Sequence, residues 1–257
     1  MLEMLEMTRI NGAPSTLQSL AEREQYRVDA INDMEGDLKG DDCPLCKNRG
    51  YIAYLEDGAI RTRKCGCMVK REALRLIEQS GLSDSLERCT FESYSTPKEW
   101  QRQAKALAEK FITSPDGWFV ATGGVGSGKT HLCTAICGRL INSGVPTRYM
   151  QWRTDAPRLK GLVNDREEYE RMINPFKRIR CLYIDDFLKG AVTEADINLA
   201  FEILNERYNN IKLITIISSE KSITEILSID EAVGSRIYER SKNYLLEIAG
   251  GNNWRLK

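Results

Sequence analysis

The residue order in Gly123-Gly-Val-Gly-Ser-Gly-Lys-Thr130 suits the handling of phosphate. It fits G-x-x-x-x-G-K-[ST], with Gly123, Gly128, Lys129 and Thr130 at the fixed positions. Glycines at 123, 124, 126 and 128 let the backbone turn tightly and aim successive N–H groups at a polyphosphate. A helix beginning near Lys129 adds the positive end of its dipole. Lys129 can then reach the β- and γ-phosphates, and the Thr130 hydroxyl can ligate Mg²⁺. The apolar run Trp118-Phe-Val-Ala ahead of the loop is the strand that separates this pattern from a glycine-rich turn before an ordinary helix. The reading is a nucleoside triphosphate site lined by Gly123, Gly124, Val125, Gly126, Ser127, Gly128, Lys129, Thr130 and His131, with Lys129 expected to point into solvent-filled space.

A second group of residues belongs beside such a site. Cys181-Leu-Tyr-Ile-Asp185-Asp186 is an apolar strand ending in two carboxylates, one strand–helix unit after the loop. Acids at strand ends are often solvated turn formers. Beside a phosphate loop, Asp185 is assigned to Mg²⁺ and Asp186 to activation of the attacking water. Leu213–Ile217 runs into Ser218-Ser219-Glu220, where Ser219 either touches the γ-phosphate or the water, or caps the next helix. Arg236 and Arg240 lie four residues apart, on one helical face. Arg236 is the candidate to stabilise γ-phosphoryl charge from a neighbouring chain, against a surface ion pair such as Arg240 with Glu239.

Four cysteines form a third group, Cys43-Pro-Leu-Cys46 and Cys65-Gly-Cys67 across an expected hairpin turn at Glu56-Asp-Gly58. Two such pairs supply four thiolates to one tetrahedral zinc, although the second pair is tighter than usual. The alternative is reduced thiols or a redox pair. With four protein ligands the zinc would be structural, and would supply most of the folding free energy of so small a module.

The elements that must position these residues follow from apolar patterning. Strands are expected at 118–122, 147–152, 180–186, 212–219 and 244–249. Helices are expected at 129–142, 155–172, 193–209 and 223–240, the last broken near 230–234. Runs such as Leu213-Ile-Thr-Ile-Ile217 suit strands buried on both faces, hence an α/β fold with a five-stranded, mainly parallel sheet between helices. Ahead of it lie residues 1–14 without order, a thinly apolar helix from Ser15 to about Met34, a helix over 68–80 ended by Gly81, a linker to Thr96, and a helix from Pro97 to about Ile112. The expected domains are 1–40 (helical, for partner docking), 41–80 (zinc), 81–96 (linker) and 97–257 (ATPase).

Composition sets outer limits. The chain of 257 residues is 42% hydrophobic, enough for a substantial core. Charge balances at 37 basic and 37 acidic residues, which excludes a generic polyanion binder. Locally it does not balance: residues 1–42 hold ten acids and four bases, residues 43–75 eight bases and three acids. No apolar run is long enough for a membrane span, and acids interrupt the opening Met-Leu-Glu-Met-Leu-Glu-Met, unlike a signal peptide. Eight cysteines without a disulfide pattern point to a reducing, cytoplasmic location with no membrane partner.

Taken together, GGVGSGKTH, LYIDD, the serine-rich strand tip and GSRIYERSK resemble the ATPase domain of AAA+ proteins, in particular the DnaC/DnaI helicase loaders and their phage-borne relatives. The resemblance covers about Phe91 to the C-terminus, and the CPLC…CGC module is similar to the zinc-bearing N-terminal domain of the DnaI type. It implies Gly123–Thr130 as Walker A, Asp185 and Asp186 as Walker B, a sensor at Ser219 and an arginine finger at Arg236. Three departures stand out: the second acid is Asp where many relatives carry Glu, the sensor tip reads Ser-Ser-Glu rather than Asn, and the 17 residues after Arg240 are too few for a helical lid. Adenine would then be enclosed partly by the linker around Phe91 and Tyr94.

The implied function is ATP-dependent loading of a replicative DnaB-type hexameric helicase onto single-stranded DNA. Self-assembly would run through the ATPase domain, with turnover weak until stimulated. A transposition helper resembling IstB shares the same core, but the cysteine module favours the loader. A nucleotide-switched adaptor with negligible turnover is the third reading. Arg153, Arg158 and Lys160 are candidates for DNA contact or a solvated helix face.

Overall fold

The computed structural model describes residues 20–40, 42–79 and 83–248. Expectations on residues 1–14, on a helix start at Ser15, on Gly81 and on residue 249 fall outside these. The chain divides into two compact units, Met1–Arg71 and Glu72–Lys257, so the division falls inside a helix rather than at the expected linker.

In the first unit α1 (Leu20–Asp33) packs on a hairpin of β1 (Tyr51–Glu56) and β2 (Ala59–Lys64). The turn between them is Asp57-Gly58, with φ of 52° and 74°. Two left-handed residues match the right-handed twist of a tight hairpin, which is why Asp-Gly suits the place. Val28 and Ile31 bury against Ala53, and the Asn32 amide exchanges two 2.9 Å hydrogen bonds with the Ala53 backbone, docking α1 on the middle of β1. The helix α2 (Cys67–Gln79) begins at the last cysteine of the second pair, and its first five residues belong to this unit.

In the second unit come α3 (Ser83–Arg88), α4 (Glu99–Thr113), β3 (Trp118–Gly123), α5 (Lys129–Asn142), β4 (Thr147–Gln151), α6 (Trp152–Gly161) and α7 (Arg166–Arg178). There follow β5 (Cys181–Asp185), α8 (Glu194–Asn209), β6 (Ile214–Ser219), α9 (Ile223–Ile229), α10 (Glu231–Ser241) and β7 (Leu245–Ile248). The five strands form one parallel sheet, ordered β4-β5-β6-β3-β7. Alternate residues of β3 separate two cores: Phe119 and Ala121 pack with α4 and α5, while Trp118 and Val120 pack with α6 to α10. Both faces are covered, the condition that keeps parallel strands apolar throughout. The strand order reverses beside β3, so its carboxyl end opens a crevice, the place where open α/β sheets bind ligands.

Two expectations need correction. The helix expected over 155–172 is two, because Asp165 caps a new start, its side chain accepting from Glu168 N at 3.1 Å. The linker region contains α3 rather than being irregular throughout. Among the described residues, no helix is long and apolar enough to cross a membrane.

Candidate functional site

The loop between β3 and α5 carries three glycines with positive φ: 143° at Gly123, 72° at Gly126 and 89° at Gly128. Gly123 also lies too close to a neighbour for a side chain, because a Cβ there would sit 2.6 Å from the Ile248 carbonyl. At Gly128 a Cβ would only touch the Tyr94 ring at 3.4 Å, so the positive φ alone calls for glycine. Lys129 does not point into solvent as expected. It is 6% exposed, and its Nζ donates to the carbonyls of Gly123 at 2.6 Å and Gly124 at 2.8 Å. The ammonium is thus held inside the loop by the backbone that curves around it. Burial holds its pKa below the ordinary range, with Glu220 and Asp186 opposing.

Asp185 is the polar hub. Its Oδ1 accepts from Thr130 Oγ1 at 3.2 Å, from Tyr183 OH at 2.7 Å and from Ser218 Oγ; its Oδ2 accepts from Tyr149 OH at 3.0 Å. A carboxylate this buried, 7% exposed, requires such donors. Burial and the carboxylate push both tyrosine hydroxyls well above their ordinary range, so they remain donors. Sequence reading missed Tyr149, Tyr183 and Ser218, yet the period of two points to them. Tyr183 lies two residues before Asp185 on the same face, Tyr149 pairs with Tyr183 across β4 and β5, and Ser218 follows the Ile184–Ile217 pair.

At the two strand tips the polar side chains face in different directions. Asp186 has φ 55°, donates its N–H to Ser218 Oγ at 3.1 Å, and accepts from Lys189 Nζ at 3.0 Å. Ser218 therefore touches both acids. Ser219 turns the other way, donating to the Phe187 carbonyl at 2.9 Å and accepting from Lys221 N at 3.1 Å. Glu220 pairs with Lys189 at 2.7 Å.

Phe91 and Tyr94 are buried in the core, 2% and 7% exposed, rather than offering ring faces for a base to stack on. Tyr94 packs edge-on to His131 with ring centroids 5.2 Å apart, and His131 Nε2 lies 2.9 Å from the Thr90 carbonyl. These residues tie the segment ahead of α4 to the first turn of α5. Arg236 lies in the groove between α8 and α10, its guanidinium 4.7 Å from the Phe201 centroid and its Nε 3.1 Å from Asn205 Oδ1. Arg240 donates to the carbonyls of Tyr208 and Ile211 rather than to Glu239. Lys160 is paired with Asp196 at 2.6 Å, while Arg153 and Arg158 are exposed.

In the first unit the ligand atoms of Cys43, Cys46, Cys65 and Cys67 all lie within 4.8 Å of one another. The Sγ separations are 3.7 Å for Cys43–Cys65 and 3.5 Å for Cys46–Cys67. A tetrahedron with metal–sulfur bonds of about 2.3 Å has edges of about 3.8 Å, so the four thiols fit one zinc. Gly50 N–H points at Cys46 Sγ at 3.4 Å, as a knuckle around a thiolate requires. The tight Cys65-Gly-Cys67 pair is no obstacle, because Cys67 opens α2.

Comparison with known proteins agrees with this geometry. The family model "IstB-like ATP binding protein" matches residues 67–256. The phage-like element PBSX protein XkdC of Bacillus subtilis (strain 168) is 30% identical over 231 residues, 84% of this chain and 85% of that one. The replicative helicase loader DnaC of Escherichia coli (strain K12) is 28% identical over 149 residues, 54% of this chain and 58% of that one. A crystal structure of the DnaC helicase loader superposes with TM-score 0.55 at 24% identity, over 63% of this chain and 98% of that one. AMPPCP-bound DnaA from Aquifex aeolicus superposes with TM-score 0.55 at 23% identity over 66% of this chain, which spans about half (53%) of that structure. The chain belongs to the family of IstB-like ATP-binding proteins, with the AAA+ fold of the DnaC and DnaI helicase loaders.

Proposed function

We propose that this chain is an ATP-dependent loader that delivers a replicative hexameric helicase onto single-stranded DNA. The observation that carries the reading is the meeting of Thr130 with Asp185 beside Lys129, at the crevice where the sheet reverses. A Mg²⁺ ion held there would supply positive charge to offset the charge that develops on the transferred phosphoryl group. Thr130 Oγ1 and Asp185 are the residues that would hold it. Tyr149, Tyr183 and Ser218 keep the Asp185 carboxylate oriented. Lys129 would exchange the Gly123 and Gly124 carbonyls for phosphate oxygens. Asp186 would orient the attacking water, and Arg236 would serve a neighbouring chain's ATP after leaving its groove. The four-cysteine module would hold zinc as a closed structural site and, with the N-terminal helix, dock the helicase.

The match to IstB-like proteins keeps a transposition helper as the second reading; the cysteine cluster favours the loader. Binding and turnover of Mg-ATP by the parent and by Lys129→Ala test the nucleotide reading. Loss of binding or turnover with an unchanged circular dichroism spectrum is expected. Hydrolysis by Lys129→Ala at the parent rate contradicts the assignment.

A further inference from the structure

Lys189 stands three residues beyond Asp186, and its ammonium bridges two acids, Asp186 Oδ2 at 3.0 Å and Glu220 Oε1 at 2.7 Å. The acids come from the ends of neighbouring strands, β5 and β6, so the bridge ties one strand tip to the other. It stands on unusual backbone: Asp186 and Leu188 have φ of 55° and 53°, a left-handed conformation that is costly for residues with a side chain. The segment between them is nevertheless fixed from three directions. Phe187 N–H donates to the Ser218 carbonyl at 2.9 Å, and its carbonyl accepts from Ser219 Oγ at 2.9 Å. Its buried ring meets Trp152 edge-on, with centroids 5.0 Å apart.

A plain turn needs neither two strained residues nor that many restraints. Such strain persists only where the surroundings over-determine it, as they do at sites that must hold an exact group orientation. Here the group is the Asp186 carboxylate. Lys189 takes Oδ2, while Oδ1 accepts no hydrogen bond among the described residues. The Asp186 N–H donates to Ser218, Ser218 donates to Asp185, and Asp185 accepts from Thr130, so the bridge borders the phosphate loop.

We propose that Lys189 is a positioning residue for ATP hydrolysis, fixing Asp186 between the two strand tips with one oxygen free to orient the attacking water. The proposal rests on the ATPase reading above. In the reaction the water oxygen bonds to the γ-phosphorus. The bond to the β–γ bridging oxygen breaks, leaving its electron pair on ADP, and the proton shed by the water passes to phosphate and solvent. Lys189 takes no part in these bonds and acts through Asp186.

Lys189→Met keeps most of the aliphatic stem and removes the charge, which makes it the informative variant. A misplacement of about 1 Å in a reacting geometry can cost about 10²-fold, so loosening Asp186 should lower kcat at least about tenfold. The Kd for ATP and the Tm should stay near those of the parent. Lys189→Arg should recover most of the rate, since it can still bridge both acids. With Asp186→Asn as background, Lys189→Met should cause no further loss. Parent-like kcat in Lys189→Met overturns the proposal. So does a weakened Kd in step with kcat, which marks a direct phosphate ligand, and so do multiplicative losses in the double variant. Parent turnover no higher than that of Lys129→Ala removes the ATPase reading and the proposal together, a pattern distinct from an active parent with an indifferent Lys189→Met.

Discussion

Ser218 and Ser219 are neighbours in sequence with opposite duties. Ser218 donates to Asp185 and accepts from the Asp186 N–H, so its hydroxyl links the two acids at the strand tip. Ser219 is fully buried and satisfies the Phe187 carbonyl. Ser218→Ala should therefore lower ATP turnover while melting close to the parent. Ser219→Ala should lose stability by about 1–3 kcal/mol, the cost of leaving a buried acceptor unpaired, with a smaller effect on turnover per folded chain. Thermal melts and steady-state rates on both variants decide the matter; the reverse pattern would return the sensor role to Ser219. The sequence tip Ser-Ser-Glu offered two hydroxyls, and only strand register against β5 distinguishes them.

At the scale of elements, what was legible depended on whether local pattern or tertiary packing decided the outcome. The phosphate loop, its helix and the apolar strands are local patterns, and the structure places them within a residue or two of expectation. The break between α6 and α7 was marked by Gly161 and Asp165, signals that a long helical pattern obscured. The fold of Lys129 onto the carbonyls of Gly123 and Gly124 was illegible because the curvature of the loop, not residue type, sets it, and the packing of Arg236 against Phe201 because the two lie on different helices. The cysteine module offers a test at this scale. Its apolar core is Val28, Ile31 and Ala53 with two partly buried neighbours, too little to fold such a unit alone. Chelation should thus melt the module and leave ATP binding by the second unit in place. Elemental analysis should find about one zinc per chain, and a module that keeps its hydrogen-exchange protection in chelator would argue that the thiols hold no structural metal.

At the scale of the whole molecule, the proposed loading needs separate parts to act in sequence: a docking module, an ATP site and an arginine offered to a neighbour. Arg236 makes no contact with the loop of its own chain among the described residues, as a finger acting between chains requires. Arg236→Ala should bind ATP like the parent but lose hydrolysis stimulated by single-stranded DNA. Mixing it with Lys129→Ala should partly restore the rate, because one variant keeps its ATP site and the other its arginine. No rescue, with specific activity independent of protein concentration, would reduce Arg236 to a strut between α8 and α10.

The central claim is loading, and closed circles of single-stranded DNA test it most directly, since a hexameric ring has no end to thread onto. The measurement is the amount of the source organism's replicative helicase retained on such circles after gel filtration with ATP. Retention should rise several-fold with the parent chain and fall to background with Lys129→Ala. Equal retention with and without the chain would contradict the account.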